Sequence, residues 1–378
     1  MLKRTNCVMC LTKLSRETKK IPFFPIHMGT SNSDLIEDTF EDQVWSECSN
    51  CGCIQLCELI PLNLLYVNNH NDVVGSTWKR HHENFAEFIL QGSVESVCEI
   101  GAAHGYLSNL ILNQRAIPYT VIEPTENTYS ANVRHVKGFV EENLPLIAQF
   151  DTIIHSHVLE HVYDPVEFIR AIVKNMSTGS NLFISFPNIE RLIEVDGSNA
   201  LNFEHTYYLH PLQLDSILKS FNLELIQIKK FEQHSFFYWL KKSESILDCK
   251  VGEIDIPSIA KISDKWYQYW KNLEVFTLYV NNVLQANSIP TFLFGAHIFS
   301  QTLTVLGLKQ DRIIGVLDNS LSKQGQRLYG THWKVFTPEI ISDMDIVQVI
   351  LKASHYQEEI KTQLTQLNPK VIILELKL

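Results

Sequence analysis

The stretch VCEIGAAHGYLSNLIL, residues 97–112, decides the fold. A short apolar run, VCEI, leads into a turn carrying Gly101 and Gly105, and the turn leads into the apolar-periodic YLSNLIL. This order spells strand, glycine turn, helix. Glycines at such a turn let a ligand come close to the main chain at the carboxyl end of the strand, where open α/β sheets bind. Outward from it the pattern repeats in PYTVIEP (118–124), FDTIIHS (150–156) and SNLFISFP (180–187), with helical segments between. Short β-branched runs alternating with helices imply a parallel sheet with crossover connections. Two further strands are expected at LELIQIKKF (223–231) and SFFYWLKK (235–242).

The turn reads Glu99-x-Gly101-x3-Gly105. A nicotinamide-type G-x-G-x-x-G is not met, because Ala103 and Tyr106 stand at its second and third glycines. The acid-x-Gly-x3-Gly form resembles the first motif of class I S-adenosylmethionine (SAM) methyltransferases. Glu123 ends the next strand, 18 residues after Gly105, where a carboxylate can accept both ribose hydroxyls of an adenosine. Glu99, Gly101, Ala102, Ala103, Gly105 and Glu123 are therefore expected at the cofactor. In methyltransferases of this class the residues just past the fourth strand line the cleft, which in FDTIIHSHVLEHVYDPVEFI means Ser156, His157 and His161. Each histidine has the alternative of a helix cap or a buried, hydrogen-bonded imidazole.

Six of the eight cysteines fall before residue 58. Cys7-x2-Cys10 and Cys48-x2-Cys51 form two knuckles 37 residues apart, the four soft ligands that a closed tetrahedral Zn2+ site requires. Cys53 and Cys57 offer other pairings in CSNCGCIQLC; Cys48 and Cys51 are preferred because Gly52 suits a knuckle turn.

Beyond the sheet, apolar residues at Ile259, Ile262, Trp266, Trp270, Leu273, Phe276, Val280 and Val283 step by three and four along one face of a long helix. Its aromatic residues read as packing. After Pro290 a second alternating pattern starts with TFLFGAH, RIIGVLDN, IVQVIL and KVIIL. The expected organisation is a zinc-binding N-terminal module (1–75), a Rossmann-like SAM domain (76–245), a linker with a long amphipathic helix (246–288) and a C-terminal Rossmann-like α/β domain (289–378).

A formal net charge of −10, with 45% hydrophobic and 20% charged residues, describes a soluble globular chain and argues against a general nucleic-acid binder. The basic N-terminus lacks an apolar run fit for a signal peptide, and no stretch approaches a membrane span, so a cytoplasmic protein is expected.

With these pieces placed, the chain resembles the three-domain, zinc-binding nucleotide-sugar C-methyltransferases almost from end to end. The resemblance rests on the knuckles followed by IQLCELIP, on EIGAAHG, SHVLEHVYD and FEHTYYLHP, and on FLFGAHIFSQ, LDNSLSKQG and YGTHWKVFTPE. It implies SAM and zinc as cofactors and a nucleotide-linked keto-deoxy sugar as acceptor, in surface polysaccharide or glycoside biosynthesis. It places Glu204 and His205 on the last two residues of a Tyr-His-Glu-His motif, with His205 as the base that forms an enolate, Glu204 as its support and His161 in the cleft. Tyr207, Tyr208 and His210 stand between acceptor contact and packing. It also implies that the C-terminal domain closes over the acceptor rather than holding a cofactor of its own.

The chain departs from the family at several positions. Asn202 and Phe203 replace the motif's Tyr-His, Tyr66 is the only phenol where a pair is usual, and Phe299 takes the place of a lysine. The Gly-Gly and arginine after His234 are absent. These departures touch the acceptor side and keep two alternatives open: O-methylation of a sugar or other small molecule, and a non-catalytic scaffold. The oligomeric state is left open.

Overall fold

The computed structural model describes residues 2–14, 17–66, 76–194, 202–244, 256–353 and 356–375, with side chains of the long helix from residue 262 onward. Its centre is a seven-stranded sheet. The strands are β1 (Val97–Ile100), β2 (Tyr119–Glu123), β3 (Val133–Lys137), β4 (Thr152–Ser156), β5 (Asn181–Pro187), β6 (Leu223–Phe231) and β7 (Ser235–Lys242). Their order is β6-β7-β5-β4-β1-β2-β3, with β3, β2, β1, β4 and β5 parallel and β7 antiparallel to both neighbours. Chain direction out from β1 reverses between β2 and β4, which opens a crevice at their carboxyl ends. This is the Rossmann-like α/β plan expected from the alternation.

Burial follows position in the sheet. All four residues of β1, all five of β2 and all seven of β5 are buried, as strands covered on both faces must be. The edge strand β6 buries only its two ends. Helices α1 (Ser76–Ile89), α2 (Tyr106–Leu112) and α3 (Pro165–Asn175) flank the sheet. Asp164 starts α3 by accepting the Glu167 amide, and Pro165 fills a first-turn position where no N–H is needed. Helix α4 (Pro211–Leu218) leads from the FEHTYYLH segment back to β6.

The N-terminal residues form a three-stranded antiparallel sheet from Lys19–Pro25, Phe40–Glu47 and Ile54–Leu56. Helix α5 runs from Ile256 to Ala286. Its buried face, Ile262, Trp266, Trp270, Leu273, Phe276 and Val280, is the predicted one, with Val283 partly buried and Ile259 outside the described side chains. That face belongs to one apolar cluster with Phe24, Trp45 and Leu56 on one side and Leu293, Val316 and Ile350 on the other.

The second parallel sheet contains β8 (Thr291–Phe294), β9 (Gly315–Leu317), β10 (Val335–Phe336), β11 (Gln348–Leu351) and β12 (Ile372–Glu375), ordered β10-β9-β8-β11-β12. Helix α6 (Ile298–Val305) follows β8. Thr30–Ser31 pairs with Arg327–Leu328, so the N-terminal region also touches this sheet's connections. Among the described residues no helix is long and apolar enough to cross a membrane.

Candidate active site

The turn after β1 has the backbone its glycines allow. Gly101 and Gly105 lie at φ +73° and +69°, and a Cβ on Gly101 would stand 2.4 Å from a methyl of Val158. Ala103 also takes a positive φ, 44°, between them. Glu123 closes the turn from below. One of its carboxylate oxygens accepts the Ala103 amide at 3.2 Å, and the other accepts the amide and hydroxyl of Thr125 at 3.0 and 2.7 Å. A carboxylate has about four acceptor sites, so room for a further donor remains. Tyr129 packs against Gly105 and donates to the Ala103 carbonyl at 2.8 Å. A polar groove lined by His104, Glu126, Asn127, Thr128, His135 and Lys137 opens beside this turn.

Glu99 takes a different position from the other turn residues. It is buried in β1, accepts the Tyr119 hydroxyl at 2.7 Å, and burial pushes its carboxyl up to about 7. The Ala102 carbonyl accepts the Gly105 amide, which fixes the turn.

Past β4 the chain turns sharply. His157 has φ +53°, a left-handed conformation unusual for a residue with a side chain. Its amide donates to the Ser185 carbonyl, its Nδ1 lies 3.1 Å from Glu160 and its Nε2 2.9 Å from the Ser235 hydroxyl. Ser156 precedes it at the end of β4, with a buried hydroxyl that has no hydrogen-bond partner among the described residues.

The second cluster joins His161, Glu204, His205 and Tyr66. His161 Nδ1 is 3.0 Å from the Tyr66 hydroxyl and 3.8 Å from Glu204 Oε2, and its ring meets that of His205 edge-on with centroids 4.8 Å apart. Glu204 thus faces His161, while Nδ1 of His205 has no hydrogen-bond partner among the described residues. Burial lowers His161 to about 3, with help from His205, and lowers His205 to about 4, with help from His157 and His297. Burial also raises Glu204 and Glu160 to about 7. Near neutral pH both imidazoles are therefore neutral, and Glu204 lies within reach of His161.

Asn202 organises this cluster. Its side-chain oxygen accepts the Glu204 and His205 amides at 2.8 and 2.7 Å, an Asx-type clamp on the backbone of both residues. Phe203 packs edge-on against Phe24. The rest of the segment is structural. Tyr207 is buried and donates to the Leu159 carbonyl, and Tyr208 stacks on Trp45 at 5.2 Å. His210 caps α4 by accepting the Leu212 amide at 3.2 Å. Residues 206–208 also extend the N-terminal sheet, through Leu56 N to Thr206 O at 2.8 Å and Tyr208 N to Ile54 O at 2.9 Å.

Cys7, Cys10, Cys48 and Cys51 bring their sulfurs within 4.8 Å of one another. The Cys7–Cys51 and Cys10–Cys48 separations are both 3.5 Å, near the roughly 3.8 Å edge of a tetrahedron with zinc–sulfur bonds of about 2.3 Å. The donor set fits a structural zinc ion. Cys53 and Cys57 lie outside the group; the buried Cys53 thiol points at the Ile54 carbonyl.

Tyr119, Asn202, His297 and the pair His81 and His234 were not singled out by the sequence as site residues. Of these only Asn202 had a sequence signal, as an Asx residue just before Glu204-His205.

Residues 76–228 match a family model described as a methyltransferase domain. A search of curated proteins finds no match to the chain. Among solved structures, the chain is similar to the plantazolicin methyltransferase BpumL in complex with S-adenosylhomocysteine, at 12% identity over 45% of this chain and 84% of that one, with a TM-score of 0.37. It is similar to the 1,6-didemethyltoxoflavin-N1-methyltransferase of Burkholderia thailandensis at 14% identity, 46% and 80% coverage and a TM-score of 0.36. An O-methyltransferase family protein of Burkholderia thailandensis stands at 12% identity, 44% and 57% coverage and a TM-score of 0.36. Likeness at this level carries no information on the acceptor.

Proposed function

We propose that this SAM-dependent methyltransferase methylates a carbon of a nucleotide-linked keto-deoxy sugar, with His205 as the base. When bound, SAM supplies the electrophilic methyl on its sulfonium. In this reading the glycine turn, Ala102, Ala103, Glu99 and Glu123 hold the cofactor, with Ser156 and His157 at the end of β4 beside it. His205 removes the proton from the carbon next to the ketone, and Glu204, through His161, stabilises the imidazolium that results. The observation that carries the reading is the buried group of His161, Glu204 and His205, next to the turn that follows β4.

Zinc held by Cys7, Cys10, Cys48 and Cys51 belongs to the same proposal. It would tie the N-terminal sheet to the 206–208 segment that extends it, and so hold Glu204 and His205 in place. The organisation into residues 1–75, 76–245, 246–288 and 289–378 follows from the same resemblance. Support for the C-terminal sheet facing the acceptor comes from His297, at the start of α6, which acts electrostatically on His205.

The test is product mass spectrometry after incubation with SAM and a panel of nucleotide-linked 4-keto sugars in deuterated water, with His205→Ala beside the wild type. Methyl on carbon, together with deuterium beside the ketone in unreacted sugar, is expected for the wild type and lost in the variant. Methyl on oxygen would move the acceptor chemistry to a hydroxyl deprotonated by the same imidazole. Binding of SAM with no transfer to any sugar of the panel would overturn the acceptor reading.

A further inference from the structure

A second group of histidines lies outside the residues used above for proton transfer. His81 comes from α1, His157 from the turn after β4, and His234 from the tight turn between β6 and β7. One ring nitrogen of each lies within 4.8 Å of the others. The ring centroids stand 5.1 to 5.5 Å apart, and Trp78 covers His157 and His234 edge-on at 4.7 and 4.8 Å. We propose that His81, His157 and His234 form a three-imidazole site for a divalent first-row transition ion, distinct from the four cysteines.

Three observations point to a ligand. The first is a carboxylate behind an imidazole: Glu160 holds Nδ1 of His157 at 3.1 Å and leaves Nε2 facing the group, the arrangement in which a carboxylate orients a metal-bound histidine. The second is unpaired polarity, since Nδ1 of fully buried His81 and Oε2 of buried Glu160 have no hydrogen-bond partner among the described residues. The third is the left-handed backbone of His157, strain that aims its ring into the group.

Without an ion, hydroxyls occupy part of the space. Ser235 Oγ lies 2.9 Å from His157 Nε2 and 2.6 Å from His234 Nδ1, while Ser185 Oγ holds His81 Nε2 at 2.9 Å and leaves Nδ1 as the nitrogen available to an ion. Nitrogens on a tetrahedral zinc ion stand about 3.4 Å apart, so ring movements of roughly 1 Å would convert the hydrogen-bonded group into a coordination shell. Three imidazoles leave a fourth position open. That position would take an oxygen of the acceptor, a use that rests on the methyl-transfer reading; metal binding itself does not.

The experiment uses the full chain, stripped with a chelator, reloaded with zinc and freed of excess metal. Bound zinc is counted by mass spectrometry for wild type, His81→Gln and His234→Gln. Each variant is expected to hold one equivalent less than the wild type, whatever the cysteines bind, while X-ray absorption of the loaded wild type shows a shell of nitrogen ligands matching three imidazoles. Equal zinc in all three proteins, or a wild-type spectrum with sulfur ligands only, would overturn the site. The absorption result stands even if a variant does not fold. Neither readout depends on the acceptor, so failure here is separable from failure of the sugar reading.

Discussion

Gly101 shows how little freedom the cofactor turn has. An added Cβ would press on Val158 at 2.4 Å while forcing an alanine to φ +73°. Strain of this kind costs about 1–3 kcal/mol. Gly101→Ala is therefore expected to lower stability by about that amount and to weaken SAM binding at least tenfold, measured by thermal unfolding and titration calorimetry. His155 poses a different problem. It sits wholly buried in β4 against Phe168, with neither ring nitrogen hydrogen-bonded, and burial lowers it to about 3. The folded value lies below the roughly 6.5 of the unfolded chain, so the unfolded chain takes up the proton first and stability falls as pH drops from about 6.5 toward 3. In His155→Leu this contribution is absent. Relative to its own neutral-pH stability, the variant should lose about 2 kcal/mol less than the wild type by pH 5, as read from urea unfolding at both pH values.

At the scale of elements, the segment from Asn202 to His210 divides into two parts with different work. Its first part is a clamp on Glu204 and His205; its second is a bridge to the N-terminal sheet and a cap on α4. Asn202→Ala removes two hydrogen bonds, each worth about 1 kcal/mol net, from the backbone of Glu204 and His205. Turnover should fall about tenfold or more with the SAM dissociation constant unchanged, measured by product formation and calorimetry. The strands and the long helix were legible in the sequence because period and composition are local: VCEI, TIIHS and the Trp266–Trp270 face all stand where alternation and three-four spacing put them. The cysteine quartet was legible from spacing alone. The partners of Glu204 were not, because a buried carboxylate pairs with whichever side chain long-range packing brings to it, and that proved to be His161. His81 and His234 lie 153 residues apart in the chain, and no local pattern could join them.

At the scale of the whole molecule, a set of polar contacts holds the N-terminal region to the C-terminal sheet, and Arg327 makes several of them. Its guanidinium takes Asp38 in two hydrogen bonds of 2.6 and 2.8 Å and also reaches the Ser33 carbonyl, while Asp38 accepts the Gly330 amide at 2.6 Å. Asp38 is almost completely shielded from solvent. Removing Asp38 takes away the acceptor of three hydrogen bonds, each worth about 1 kcal/mol net. Asp38→Ala should unfold at lower temperature in calorimetry and become cleavable between the two regions by limited proteolysis.

Arg4 carries a consequence for how the chain is made. Its buried guanidinium donates to the carbonyls of Leu56, Tyr163 and Thr206, at separations of 52, 159 and 202 residues. Thr30–Ser31 likewise waits for Arg327–Leu328. A ribosome releases the first residues long before these partners exist. The knuckles can gather their sulfurs early, but the surfaces they present must stay unlocked until most of the polypeptide has emerged. The beginning of the chain is thus among the last parts to settle, which favours slow maturation and exposes the nascent protein to chaperones for most of its synthesis.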